Sequence, residues 1–331
     1  MPASAAIVPM KCPRPRHRGS KSRTQPAFAL RASAARQVGP RKRSAQPALA
    51  GRVATRPDFS GGGRLRAAFT GIALALFVVS PSAITLVSVP QEIEIGREAN
   101  AQVRKKAAVV RDSQVITYVA RVGQRLAKAA PGAKYPYTFA VADYREINAF
   151  SLPGGPVWIN RGVLHASTNE SQVAGVLAHE IAHISQRHAA DQLTNTLLAQ
   201  WSLGALGAML GNTGGAGAAQ IAGTFVTNGV FLKFSRDDER AADRVGVQIM
   251  TKAGWDPRGM IELLDVLRRE QKRDPGAVDV FFSTHPSPED RIAQLTAAVG
   301  RRRGGVRDSA QFRAVKARVL KLPPPHRMPR T

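Results

Sequence analysis

The sequence predicts an α+β fold, mainly helical, with a small β-sheet beside one motif-bearing helix. Helical apolar periodicity flanks a short block of strand-like sequence, a Pro-Gly-Gly turn interrupts that block, and His179-Glu180-Ile181-Ala182-His183 follows it. With 331 residues and 44% apolar content the chain can bury a sizeable core as one large domain or two small ones. The net charge of +25 is unevenly spread. Residues 1–66 hold 15 Lys or Arg against Asp58, and residues 301–331 hold 10 against Asp308, which leaves +2 for the stretch between. A near-neutral body between basic ends, without interleaved aromatics, argues against a nucleic-acid-binding face. The single cysteine, Cys12, lies in the N-terminal extension, so a metal in the body must be held by His and carboxylate.

Residues 1–63, rich in Arg, Ala, Ser and Pro, have no apolar period and read as a disordered extension. A start codon placed too far upstream explains them, with an Arg-rich targeting segment as the competing explanation. Residues 64–83 join Arg64-Leu65-Arg66 to an uncharged apolar run and Pro81-Ser82-Ala83, the layout of a signal peptide or a membrane anchor. Residues 84–300 form the expected catalytic body, and 301–331 a basic C-terminal helix and tail.

Within the body, Gln91–Lys105 and Ser113–Ala130 are expected helices, the second burying Val115, Ile116, Val119, Val122 and Leu126. Tyr137–Val141 is an expected strand. Ile147–Leu152 and Pro156–Ile159, joined by Pro153-Gly154-Gly155, make a hairpin. Ser167 with Glu170 reads as a capping box opening a helix to about Ala190, with Val173, Leu177, Ile181 and Ile184 inward. Gln192 to Leu232 is charge-free and rich in Gly and Ala. It reads as a buried helical hairpin whose position also suits a lid or a membrane-contacting surface.

On that helix His179 and His183 lie one turn apart on one face, so two imidazoles converge on one ion. Glu180, about 100° round, reaches a metal-bound water as general base. Alone, the motif is only moderately specific, since two surface histidines on a polar helix read the same way. A third ligand strengthens it: Glu239 and Asp243 are four apart at another helix start, so both carboxylates face one way. Spacing allows either to reach the ion. The longer Glu239 suits ligation across an interhelix gap, and Asp243 suits a hydrogen bond to a ligand imidazole. His188, about 180° from His179 on a continuous helix, is excluded as a ligand and expected at the surface or behind the ligands. Thr284-His285-Pro286-Ser287-Pro288 precedes a further helix with Arg291 in its first turn. His285 and Arg291 are candidates for oxyanion stabilisation or contact with the metal region, or else for capping the fold.

These segments together resemble the gluzincin zinc metallopeptidases of the CAAX prenyl endopeptidase and HtpX family. The motifs are Gln91-Glu92-Ile93-Glu94-Ile95-Gly96, Asn148-Ala149-Phe150 with Pro153-Gly154-Gly155, Ala178-His179-Glu180-Ile181-Ala182-His183 with Arg187-His188, Glu239-x-x-x-Asp243, and His285-Pro286 with Arg291. One membrane-like segment precedes the body where the prenyl and HtpX branches have several, so the resemblance is to the soluble periplasmic BepA-like and the mitochondrial Oma-like branches. It implies a zincin-like domain holding one Zn2+ on His179, His183 and Glu239, with an extended substrate laid along an edge strand at Asn148, Ala149 and Phe150. The implied function is endopeptidase cleavage of extended or misfolded proteins, in envelope protein quality control. The alternative is a zinc-stabilised chaperone or a membrane-tethered binding protein with incidental cleavage. The expected partners are protein or peptide substrates and no nucleic acid, with membrane contact through 67–89 and 193–232. The expected location is extracytoplasmic, periplasmic or membrane-anchored, with a mitochondrial address as the rival.

Overall fold

The structure is a computed structural model and describes residues 85–200, 219, 221–223, 233–285, 288–300, 302 and 304–329. The expected extension at 1–63, the segment 64–83 and most of 193–232 lie outside the described residues.

Helix α1 (Val89–Lys106) begins where Ser88 and Gln91 form a capping box around Pro90. Residues 85–88, the described end of the apolar segment proposed for membrane contact, pack on the protein. Val87 is fully buried, and the Leu86 amide donates to Thr194. Helix α2 (Ser113–Ala127) is capped by Asp112 and buries Val115, Val119, Val122 and Leu126 as expected. Tyr118 completes that face, while the expected core residue Ile116 is exposed: it lies one position off the stripe that Tyr118 and Val122 continue.

Strands β1 (Thr138–Ala142), β2 (Ala149–Ser151) and β3 (Pro156–Asn160) form a sheet in the order β1-β3-β2. The expected hairpin is present as the antiparallel β2–β3 pair, with Phe150 opposite Trp158, and β1 joins β3 in parallel. Alternation divides the sheet between two cores. Phe139, Val141, Ala149, Val157 and Ile159 enter the main core, while Ala140, Ala142, Phe150 and Trp158 pack with Ala99 of α1.

Two helical boundaries depart from the sequence reading. A short helix α3 (Arg161–Ala166) takes up the chain as far as Ser167, which caps its C-terminus, so Asn169 instead caps α4 (Glu170–Ser185) through the Gln172 amide. At its far end α4 stops at Ser185, five residues before the expected Ala190, because Arg187 adopts φ +62° and α5 (His188–Gln200) leaves in a new direction. Every residue of α4 is buried, among α2, β2, α6 (Arg236–Ala253) and α7 (Arg258–Arg273). Beyond α7 come a 3-10 turn (Pro275–Ala277), α8 (Asp279–Thr284), α9 (Pro288–Val299) and α10 (Ala310–Lys321). The basic α10 buries Phe312, Val315 and Val319 in the core that α2 and α4 share. Of the charge-free stretch, α5 accounts for 192–200, and the described Ile221 packs with Ile95, Ala190 and Leu193. Among the described residues no helix is long and apolar enough to cross a membrane.

Candidate metal centre and active site

Helix α4 brings His179, Glu180 and His183 to a point where α6, α8 and α9 deliver Glu239, Asp243, His285 and Arg291; all seven are buried. Ser235 and Asp238 close a capping box at the start of α6, which sets Glu239 and Asp243 in its first two turns, one above the other on the α4 side. The Nε2 atoms of His179 and His183 are 3.0 Å apart. Glu239 lies 3.4 Å from the first and 3.3 Å from the second. His285 Nδ1, 2.7 Å from Glu239 and 3.4 Å from His179 Nε2, completes a group of four ligand atoms within 4.8 Å of one another.

The donor set fits a metal ion. Ligands about 2.0–2.1 Å from one zinc at tetrahedral angles stand about 3.4 Å apart, which is close to the spacing these side chains already have. Two imidazoles and a carboxylate are also the donors a catalytic zinc takes.

Asp243 does a different job from Glu239. Its Oδ1 is 3.0 Å from His179 Nδ1, the nitrogen turned away from the cluster, and both its oxygens accept from the Arg291 guanidinium at 2.7 and 2.8 Å. A third guanidinium nitrogen lies 2.7 Å from Glu239. Burial works against the Asp243 charge, but Arg291 and His179 hold its carboxyl down at about 2. The same logic keeps Glu239 well below the usual carboxylate range despite burial, through His285, Arg291 and His179. Burial and Arg291 oppose a charge on His179, yet Glu239 and Asp243 push it up to about 9, whereas burial drives His183 well below the ordinary imidazole value.

Glu180 faces the sheet. Its Oε2 accepts from Ser151 at 2.9 Å, and its Oε1 is buried without a donor, 3.6 Å from His285 Nε2. Asn148, Ala149 and Phe150, the residues expected to carry substrate, lead into that serine on β2, the last strand in the sheet order; all are buried. An apolar pocket lined by Val176, Met260, Leu263, Leu264, Phe281 and Leu295 adjoins His179 and Glu180.

Two neighbours of the site were invisible in the sequence: Phe234 stacks on the His183 ring at 3.8 Å, and Ser151 touches the expected general base Glu180. His188, expected at the surface or in a second layer, takes the second of these places, buried with its Nδ1 2.9 Å from His183 Nδ1. The His188 contact depends on the break after α4, which neither Gly nor Pro announces.

A family model described as peptidase family M48 matches residues 113–299. The chain belongs to peptidase family M48. Its relatives include the beta-barrel assembly-enhancing protease of Escherichia coli (strain K12), 35% identical over 266 residues, which cover 78% of this chain and 54% of that protein. Mitochondrial metalloendopeptidase OMA1 of Schizosaccharomyces pombe is 32% identical over 178 residues, 54% of this chain and 51% of that one. Metalloprotease YcaL of Escherichia coli (strain K12) is 24% identical over 188 residues, 55% and 72% of the two chains. The chain thus spans about half the length of the first of these relatives. These similarities fit the BepA-like and Oma-like branches that the motifs resemble.

Proposed function

We propose that this chain is a zinc-dependent metalloendopeptidase that cleaves extended or misfolded proteins outside the cytoplasm, in envelope protein quality control. The observation that carries the chemistry is the convergence of His179, His183 and Glu239 with Glu180 beside them, buried but next to a pocket. His179, His183 and Glu239 would hold the zinc, which would supply a water of pKa about 7 and polarise a carbonyl. Glu180 would serve as the general base and carry the proton to the leaving amine; Ser151 steers its carboxylate by the hydrogen bond to Oε2. His285 and Arg291 act on the third ligand, His285 Nδ1 and a terminal Arg291 nitrogen each standing 2.7 Å from the Glu239 carboxylate, which they hold in place and ionised. The β2 strand carrying Asn148, Ala149 and Phe150 aligns an extended peptide. Support for the cellular role comes from the name of the beta-barrel assembly-enhancing relatives and from the signal-like or anchor-like sequence at 64–83.

The test is cleavage of a permanently unfolded protein by the purified chain. Wild type should cleave it, lose activity to a chelator and regain it with zinc. Glu180→Gln should keep stoichiometric zinc while its rate falls by about 10²- to 10⁴-fold. A Glu180→Gln protein that cuts like wild type would sink the assignment.

A further inference from the structure

The Nδ1 atoms of both ligand histidines are engaged, but by different chemistry. That of His179 faces the Asp243 carboxylate, whereas that of His183 faces an imidazole, His188 Nδ1, at 2.9 Å. On an unbroken helix residue 188 would stand about 140° round from residue 183 and the two rings could not meet. The left-handed Arg187, at φ +62°, is what brings them together. Its side chain is tied down on the opposite side of the corner. Arg187 Nε donates to Glu92 Oε1 at 2.8 Å, a terminal guanidinium nitrogen donates to the Val87 carbonyl, and Glu92 Oε2 accepts from Tyr135 at 2.7 Å. Glu92 is buried on α1, so the first motif of the chain holds the corner that follows the metal motif.

We propose that His188 is a positioning residue of the metal site. Its Nδ1 accepts the hydrogen of His183 Nδ1, which fixes the tautomer that turns the His183 Nε2 lone pair toward His179 and Glu239. The proton count closes: an accepting Nδ1 leaves the hydrogen of His188 on Nε2, which faces Asp238 Oδ1 at 3.9 Å. Phe234, stacked on His183, restrains the remaining ring motion. The Arg187 corner, anchored by Glu92, then serves to present His188 and acts on the metal only through it.

This inference rests on the zinc reading above, and the experiment separates the two. The zinc dissociation constant of the full-length protein is measured by competition with a chromophoric chelator, for wild type, His188→Leu and His188→Asn. The two substituted side chains have similar shape, but only Asn carries an acceptor near the Nδ1 position. His188→Leu should bind about 10- to 100-fold more weakly, and His188→Asn should recover most of that loss. The cobalt-loaded Leu variant should also show an altered absorption spectrum. Should the Leu variant fail to fold, Glu92→Gln, which loosens the corner and keeps His188, must weaken zinc in the same sense. A folded His188→Leu protein that binds within twofold of wild type, or an Asn variant as weak as Leu, overturns the positioning role. A wild-type protein that takes up no zinc overturns the metal reading itself.

Discussion

At the scale of single residues, the helical spacing of Glu239 and Asp243 left both facing one way, and the distinction lies in which imidazole nitrogen each meets. Glu239 stands at the Nε2 side of both histidines, where the ligand atoms gather, while Asp243 meets His179 at Nδ1 and spends both oxygens on Arg291. Asp243→Ala should therefore weaken zinc by about 10- to 100-fold yet leave a site that fills at high zinc concentration. Removing Glu239 alone is a less decisive test than the sequence suggests, because His285 Nδ1 lies within the ligand cluster and three imidazoles would remain. The double variant Glu239→Ala, His285→Ala keeps two ligands, fewer than a catalytic zinc uses, and should show no stoichiometric metal by atomic absorption. Finding the double variant fully loaded and Asp243→Ala empty would reverse the two roles.

At the scale of elements, helix α1 meets the β2–β3 turn at van der Waals range of its backbone. A Cβ on Gly96 would fall 1.7 Å from the Pro153 carbonyl oxygen, and one on Gly154, at φ +72°, 2.4 Å from that of Glu92. Gly96→Ala must push helix and turn apart, at a cost of about 1–3 kcal/mol or more, and chemical denaturation should read it as a lower midpoint. Since β2 ends in the Ser151 that holds Glu180, the same variant should also lower kcat/KM. Sequence patterning gave α1, α2 and the hairpin because apolar spacing and the Pro-Gly-Gly turn are local signals. The start and stop of α4 were not legible. The start depends on α3 using up Ser167, and the stop on a left-handed Arg187 stabilised by Glu92, which is 95 positions away in the chain.

At the scale of the whole molecule, the residues that gather at the candidate metal centre were legible because chemistry restricts which types such a centre can use, and their order along the chain carried the family. The C-terminal segment was harder to read, its ten basic residues masking the apolar stripe of Phe312, Val315 and Val319. Much of that charge is engaged: Arg318 pairs with Asp112, Arg313 with Asp308, and Lys316 donates to the His165 carbonyl. Residues 323–328 then run as a strap across the segment that leads into β2. His326 forms a parallel bridge with Tyr144, its amide donating to Asp143 and its carbonyl accepting from Arg145. The Met328 amide donates to Glu146, and Arg161 donates to the Pro323 carbonyl. Each such hydrogen bond contributes about 0.5–1.5 kcal/mol, and the Met328 side chain also packs with the Phe150 and Trp158 cluster. Ending the chain after Lys321 keeps α10 and every residue of the candidate metal centre but frees residues 143–146, the approach to β2. The shortened protein should melt earlier and bind zinc as wild type does, with KM for an unfolded substrate raised more than kcat is lowered. Unchanged melting would show that the strap adds nothing to stability. A loss of zinc instead would mean that the strap reaches the metal centre through the sheet, a coupling that its hydrogen bonds to 143–146 and Arg161 do not provide.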